Sequence, residues 1–90
     1  MTPQKLKIDL LSRPGCHLCN AALAVLVGLC EEFPIEVVKV DISSNLDLLR
    51  EYGNDIPVGL VGGEELFRHP AKTDVLRSRL AELLSHKGLP

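Results

Sequence analysis

The stretch that decides the fold is Lys5-Leu6-Lys7-Ile8-Asp9-Leu10-Leu11-Ser12-Arg13-Pro14-Gly15-Cys16-His17-Leu18-Cys19. From Lys5 to Leu11, charged and apolar side chains interleave as they do along a strand. Ser12-Arg13-Pro14-Gly15 is a cluster of turn formers that ends it. From His17 to Glu32 the chain holds helix formers and no proline. Leu18, Ala21, Ala22, Val25, Leu26 and Leu29 recur there at helical spacing. Leu23, Ala24 and Val27 are apolar as well, so this helix is expected to be buried on more than one side. Phe33-Pro34 stops it. Two cysteines, Cys16 and Cys19, thereby fall on the first turn of a helix that follows a strand and a tight loop.

Working outward, Ile35 to Val40 is a short β-branched run and reads as an interior strand. Asn45 is the chosen N-cap of a short helix from Leu46 to Tyr52, with Gly53 as its stop. Val58 to Val61 and Glu64 to Arg68 are two further strands joined at Gly62-Gly63, a two-residue hairpin signal. His69-Pro70-Ala71 connects to a last helix with Val75, Leu76, Leu80, Leu83 and Leu84 on one face, ending near Lys87-Gly88. The order is β-α-β-α-β-β-α. A helical crossover makes the first two strands parallel and right-handed in connection, and the last two form an antiparallel hairpin. An α/β architecture follows, one mixed four-stranded sheet with helices on both faces.

The bulk properties narrow the function. Ninety residues suffice for a single domain, 1–90, and 46% hydrophobic content supports a real core. A net charge of −2 argues against a nucleic-acid partner, which selects a basic face. No apolar run approaches the ~18 residues of a membrane helix, and the first residues do not read as a secretory leader. Cytoplasm is the expected compartment and a monomer the expected state. There, a lone C-x-x-C among three cysteines reads as catalytic or metal-binding rather than structural. Cys16 and Cys19 can close a small disulfide ring, and a helix N-terminus stabilises the thiolate of the first. The same spacing also serves as half of a zinc site.

This element order resembles the thioredoxin fold in its short, glutaredoxin-like form. Three features carry the resemblance: Ser12-Arg13-Pro14-Gly15-Cys16-His17-Leu18-Cys19 after the first strand, Asp55-Ile56-Pro57 before the third, and Gly62-Gly63 between the last two. It spans about Lys5 to Ser85. The chain is similar to small glutaredoxin-like proteins with a C-x-L-C box and a Tyr-Gly-…-(Ile/Val)-Pro segment, here Tyr52-Gly53-Asn54-Asp55-Ile56-Pro57. The resemblance implies that Pro57 is cis and lies against the active-site disulfide. It also implies that the backbone at Ile56 pairs with substrate. Glutathione-dependent members usually carry Cys-Pro-Tyr-Cys, Thr-Val before the proline, and a Gly-Gly pair after the fourth strand. This chain has His17-Leu18 inside the box, Asp55-Ile56 before the proline, and Phe67 and Arg68 where the glutathione-binding glycines are expected. Arg13 fits the family's basic residue near the first cysteine.

On this reading Cys16 is the exposed nucleophile, facing unpaired helix N–H groups, and Cys19 is the resolving thiol one turn inward. Arg13 and a protonated His17 add positive charge beside Cys16. Arg13, His17, Ile56 and Pro57 are the candidate substrate-binding residues, and no metal ligand set is assigned. Cys30 lies about 21 Å from Cys16 and about 16 Å from Cys19 at helical rise, too far for a disulfide, and is expected to be a buried or half-buried free thiol. The expected function is a thiol–disulfide oxidoreductase that reduces protein or low-molecular-weight disulfides. No bound cofactor is expected; the reductant is glutathione or a flavoprotein disulfide reductase. Two alternatives stand beside it. One is a metal or iron–sulfur module whose remaining ligands come from a second chain or glutathione. The other is a redox-inert binding module that presents Ile56-Pro57 to a partner.

Overall fold

Seven elements follow one another in the computed structural model, which describes residues 5–86. They are β1 (Leu6–Ser12), α1 (His17–Leu29), β2 (Ile35–Asp41), α2 (Leu46–Tyr52), β3 (Val58–Val61), β4 (Glu64–Arg68) and α3 (Thr73–His86). The expected end of the last helix near Lys87-Gly88 lies outside the described residues. The strand order is β2-β1-β3-β4. β1 and β2 are parallel, with Leu6 opposite Ile35 and Ser12 opposite Asp41. β1–β3 and β3–β4 are antiparallel. This is the mixed sheet of the thioredoxin-like fold that the sequence predicts.

Alternation along β1 sorts the core into two layers. Leu6, Ile8 and Leu10 pack with Ala22, Leu26 and Leu29 of α1 and Leu76 and Leu80 of α3. Leu11, Val58, Leu60 and Ile42 form a smaller cluster against Leu48, Leu49 and Tyr52 of α2. Helices therefore cover both faces, two on one side and one on the other. Among the described residues no helix is long and apolar enough to cross a membrane.

Four local expectations need correction. β2 is an edge strand, not an interior one. Its β-branched run has a different cause: Val37 packs into the α1/α3 layer and Val40 into the α2 layer, so both faces are covered although one edge is free. α1 is buried along a single stripe, Cys19, Ala22, Leu26 and Leu29, while Leu18, Ala21, Ala24 and Val27 face outward. Its regular part also ends earlier, at Leu29. Glu31 N–H donates to Gly28 O and Glu32 N–H to Leu29 O, so the last turn tightens to i→i−3 bonding before Phe33-Pro34. Cys30 caps this end and is exposed, so it is neither buried nor half-buried.

The hairpin holds one irregularity that matters for the site. Val61 pairs with Glu64 and Leu60 with Glu65, yet Gly59 pairs with Phe67 and Val58 with Arg68. Leu66 is the extra residue of a β-bulge. Leu66 and Phe67 are neighbours in sequence and still both enter the α1/α3 layer. From Phe67 onward the strand's inward and outward parity is reversed. At the turn itself, Gly62 (φ 58) and Gly63 (φ 85) take the two left-handed positions of a type I′ connection.

Candidate active site

The site begins where β1 ends. Ser12 is fully buried, and its hydroxyl has no hydrogen-bond partner among the described residues. The chain then turns through Arg13-Pro14-Gly15, closed by Cys16 N–H donating to Arg13 O at 3.3 Å. Cys16 is the N-cap of α1, in extended conformation (φ −88, ψ 102). Its Sγ accepts the Cys19 amide at 3.1 Å, as a capping side-chain oxygen would. No acidic residue lies in the first turn of α1. Once reduced, a sulfur here meets unpaired amides and the positive end of the helix dipole, which favours thiolate over thiol.

Cys19 sits one turn further in and is 1% exposed, against a half-buried Cys16. The two are joined by a disulfide, with their Cα atoms 5.2 Å apart. The arrangement is asymmetric: one sulfur can be approached from solvent and the other can be reached through the first.

A cleft of about 520 Å³ opens over Cys16, between the 13–18 segment and Gly53, Asn54 and Ile56. Arg13, His17 and Ile56, three of the residues singled out from the sequence, line it together with Cys16. Leu18, 53% exposed, adds an apolar rim. Pro57 is buried directly behind Ile56, and the Ile56–Pro57 peptide is cis, as the resemblance implies. Pro57 O accepts the His69 amide at 2.9 Å, which ties this segment to the end of β4. Among the described residues, no group of three or more His, Cys, Asp or Glu is disposed to hold a metal ion.

One cluster beside the cleft escapes the sequence reading. The Arg68 guanidinium donates from Nε and Nη2 to Glu65 Oε1, at 3.0 and 2.7 Å, and from Nη1 to Asp55 Oδ2. It also lies over the Tyr52 ring, 5.3 Å from the centroid. Hydrogen bonding to Glu65, with the Asp55 carboxylate beside it, raises the arginine pKa above its ordinary value. Strict alternation along Glu64–Arg68 would turn Arg68 to the opposite face. The signal that it does not is the adjacent apolar pair Leu66-Phe67, which marks the bulge.

Comparison with known proteins is consistent over almost the whole chain. Residues 7–81 match the family described as Glutaredoxin-like domain (DUF836). A glutaredoxin-like protein of Dictyostelium discoideum is 30% identical in an alignment that covers 90% of this chain and 81% of that one. Among solved structures, protein Ne2328 from Nitrosomonas europaea superposes with a TM-score of 0.77 at 28% identity, over 89% of this chain and 96% of that one. Thioredoxin 1 of Thermosipho africanus shares the fold at 18% identity, with a TM-score of 0.63 over 92% of this chain and 99% of that one.

Proposed function

This chain belongs to the glutaredoxin-like domain family, and from that premise we propose that it is a thiol–disulfide oxidoreductase working through Cys16 and Cys19. The observation that carries the reading is the asymmetric pair: a capped, approachable Cys16 in a cleft and a buried Cys19 within bonding distance behind it. In the reductive direction the Cys16 thiolate attacks one sulfur of a substrate disulfide. A Cys16–substrate disulfide forms, and the other substrate sulfur leaves as a thiolate. The Cys19 thiolate then attacks Cys16 Sγ, and the second substrate sulfur leaves. Two electrons have passed to the substrate, each released thiolate takes a proton from water, and the protein is left as the Cys16–Cys19 disulfide. A thiol reductant, glutathione or a flavoprotein disulfide reductase, returns the two electrons.

The exposed Leu18 and half-buried Ile56 favour disulfides carried on polypeptide, with low-molecular-weight disulfides as lesser substrates. Arg13 and His17 supply polar contacts on the opposite wall. The cycle needs a reducing compartment, the cytoplasm, and one chain is sufficient to run it.

A glutathione redox titration with thiol alkylation and mass readout, on the native chain and on Cys19→Ser, tests this. The expected result is a two-electron transition of Cys16 and Cys19, and glutathione trapped on Cys16 in the variant. A Cys16–Cys19 transition without any adduct assigns recycling to a flavoprotein reductase. Absence of a disulfide across the whole range overturns the oxidoreductase reading.

A further inference from the structure

The dithiol exchange needs no guanidinium, yet Arg68 reaches from the end of β4 to the loop that walls the cleft. On either side of that loop the backbone is already fixed. Gly53 N–H donates to Leu49 O at the end of α2, and Pro57 O accepts from His69 before β3 begins. Between them, Asn54 to Ile56 crosses from helix to sheet, turned by Asp55 N–H donating to Tyr52 O at 2.8 Å. The Asp55 side chain is held from outside this loop, by Arg68. Glu65 occupies the other arm of the same fork, and the Tyr52 ring backs its plane, so the guanidinium is aimed before Asp55 meets it.

We propose that Arg68 is a positioning residue of the site: gripping Asp55 and covering Tyr52, it fixes the Gly53–Ile56 wall and presents Ile56 in one place to an incoming polypeptide. The bulge at Leu66 makes this geometry, because it turns Arg68 from the α1/α3 face to the α2 face, where Tyr52 and Asp55 stand. The proposal rests on the reading of the cleft as a redox site. Arg68 touches neither sulfur, so its contribution lies in pre-ordering a binding wall. That contribution reaches KM for a substrate that uses the wall and leaves the sulfur chemistry alone.

The test compares two disulfides in the full chain, with dithiothreitol as electron donor: insulin, which has a polypeptide to lay against Ile56, and 2-hydroxyethyl disulfide, which has none. Arg68→Ala and Asp55→Asn should each raise KM for insulin about threefold to tenfold, with kcat within about twofold. The double variant should be no worse than either single one. Arg68→Lys, which keeps the charge and loses the fork, should fall between. Kinetics on the small disulfide and the redox equilibrium with glutathione should stay unchanged. Amide hydrogen exchange at Asp55 should accelerate in Arg68→Ala. An unchanged insulin KM overturns the proposal, as does an equal loss on both disulfides accompanied by a shifted redox equilibrium. If the native chain reduces neither disulfide, the oxidoreductase reading fails on its own. The Asp55 exchange rate then decides the clamp, acceleration supporting it and no change overturning it.

Discussion

Gly59 in β3 stands opposite Phe67 in β4, and a β-carbon there would overlap Cε1 and Cδ1 of the ring, with Cζ at 3.1 Å. The aromatic ring takes the space a side chain would fill. Gly59→Ala should therefore destabilise by about 1–3 kcal/mol in chemical denaturation, since the strand and the layered core leave the ring little room to move. A loss under about 0.5 kcal/mol would show that the ring swings aside freely. Ser12 gives the opposite sign. Its buried hydroxyl is unpartnered among the described residues, so Ser12→Ala removes a desolvated polar group at little cost in packing. It should leave stability unchanged or raise it by up to about 1 kcal/mol in the same measurement. Single residues were also where the sequence was least legible. Gly53 stops α2 as the sequence suggests, but what demands glycine there is contact and not a left-handed backbone: φ is −54, and a β-carbon would meet Leu49 O. Cys30 falls one place beyond the buried stripe, and no pattern of apolar residues distinguishes the helix's last turn from its cap.

At the scale of elements, α2 depends on its cap. It is seven residues long, buries no residue fully, and begins with Asn45 Oδ1 accepting the Leu48 amide at 3.0 Å. Asn45→Ala should cost about 1 kcal/mol, and Asn45→Asp should recover most of it. The far end of α1 is tied to α3 differently. Arg77 donates from Nε and Nη2 to the two carboxylate oxygens of Glu32, at 2.7 and 2.9 Å. Hydrogen bonding to Arg77 lowers the Glu32 pKa below its ordinary 4.5, and Ser43 does the same for Asp41. A carboxylate with a depressed folded pKa stabilises the fold above its unfolded value, and that contribution is lost as pH falls through the folded one. Glu32→Gln should thus narrow the difference in melting temperature between pH 7 and acid pH, and added salt should mimic it. A slope that stays the same in the variant would separate this pair from acid unfolding. Element order, strand bounds to within one residue, and the hairpin were readable because turn formers and alternation mark them directly. The position of β2 was not, because a sheet covered on both sides puts the same apolar run at its edge as in its middle.

Across the whole molecule the two layers are unequal. The α1/α3 side gathers the larger buried cluster, whereas α2 contributes half-buried Leu48, Leu49 and Tyr52 to the smaller one. Local opening follows the weaker layer, so amide exchange should be faster throughout α2 than in β1, α1 or α3. Equal protection in α2 and β1 would mean that the fold opens as one unit. The candidate site straddles these layers: its cysteine box was plain in the sequence, since spacing and turn chemistry are local. The far wall was singled out at Ile56 and Pro57 only by resemblance, and its tie to Arg68 was not legible, since that depends on a bulge that transfers Arg68 between faces. On the proposed reading the reacting sulfurs come from the β1-α1 segment, and the Ile56 wall of the cleft comes from 53–68, across the β1–β3 seam. Reactivity and one wall of the proposed binding cleft are thus inherited from separate stretches of the gene. A lineage could alter the second, by drift or recombination within some sixteen codons, and under the proposed function the first would go on exchanging electrons as before.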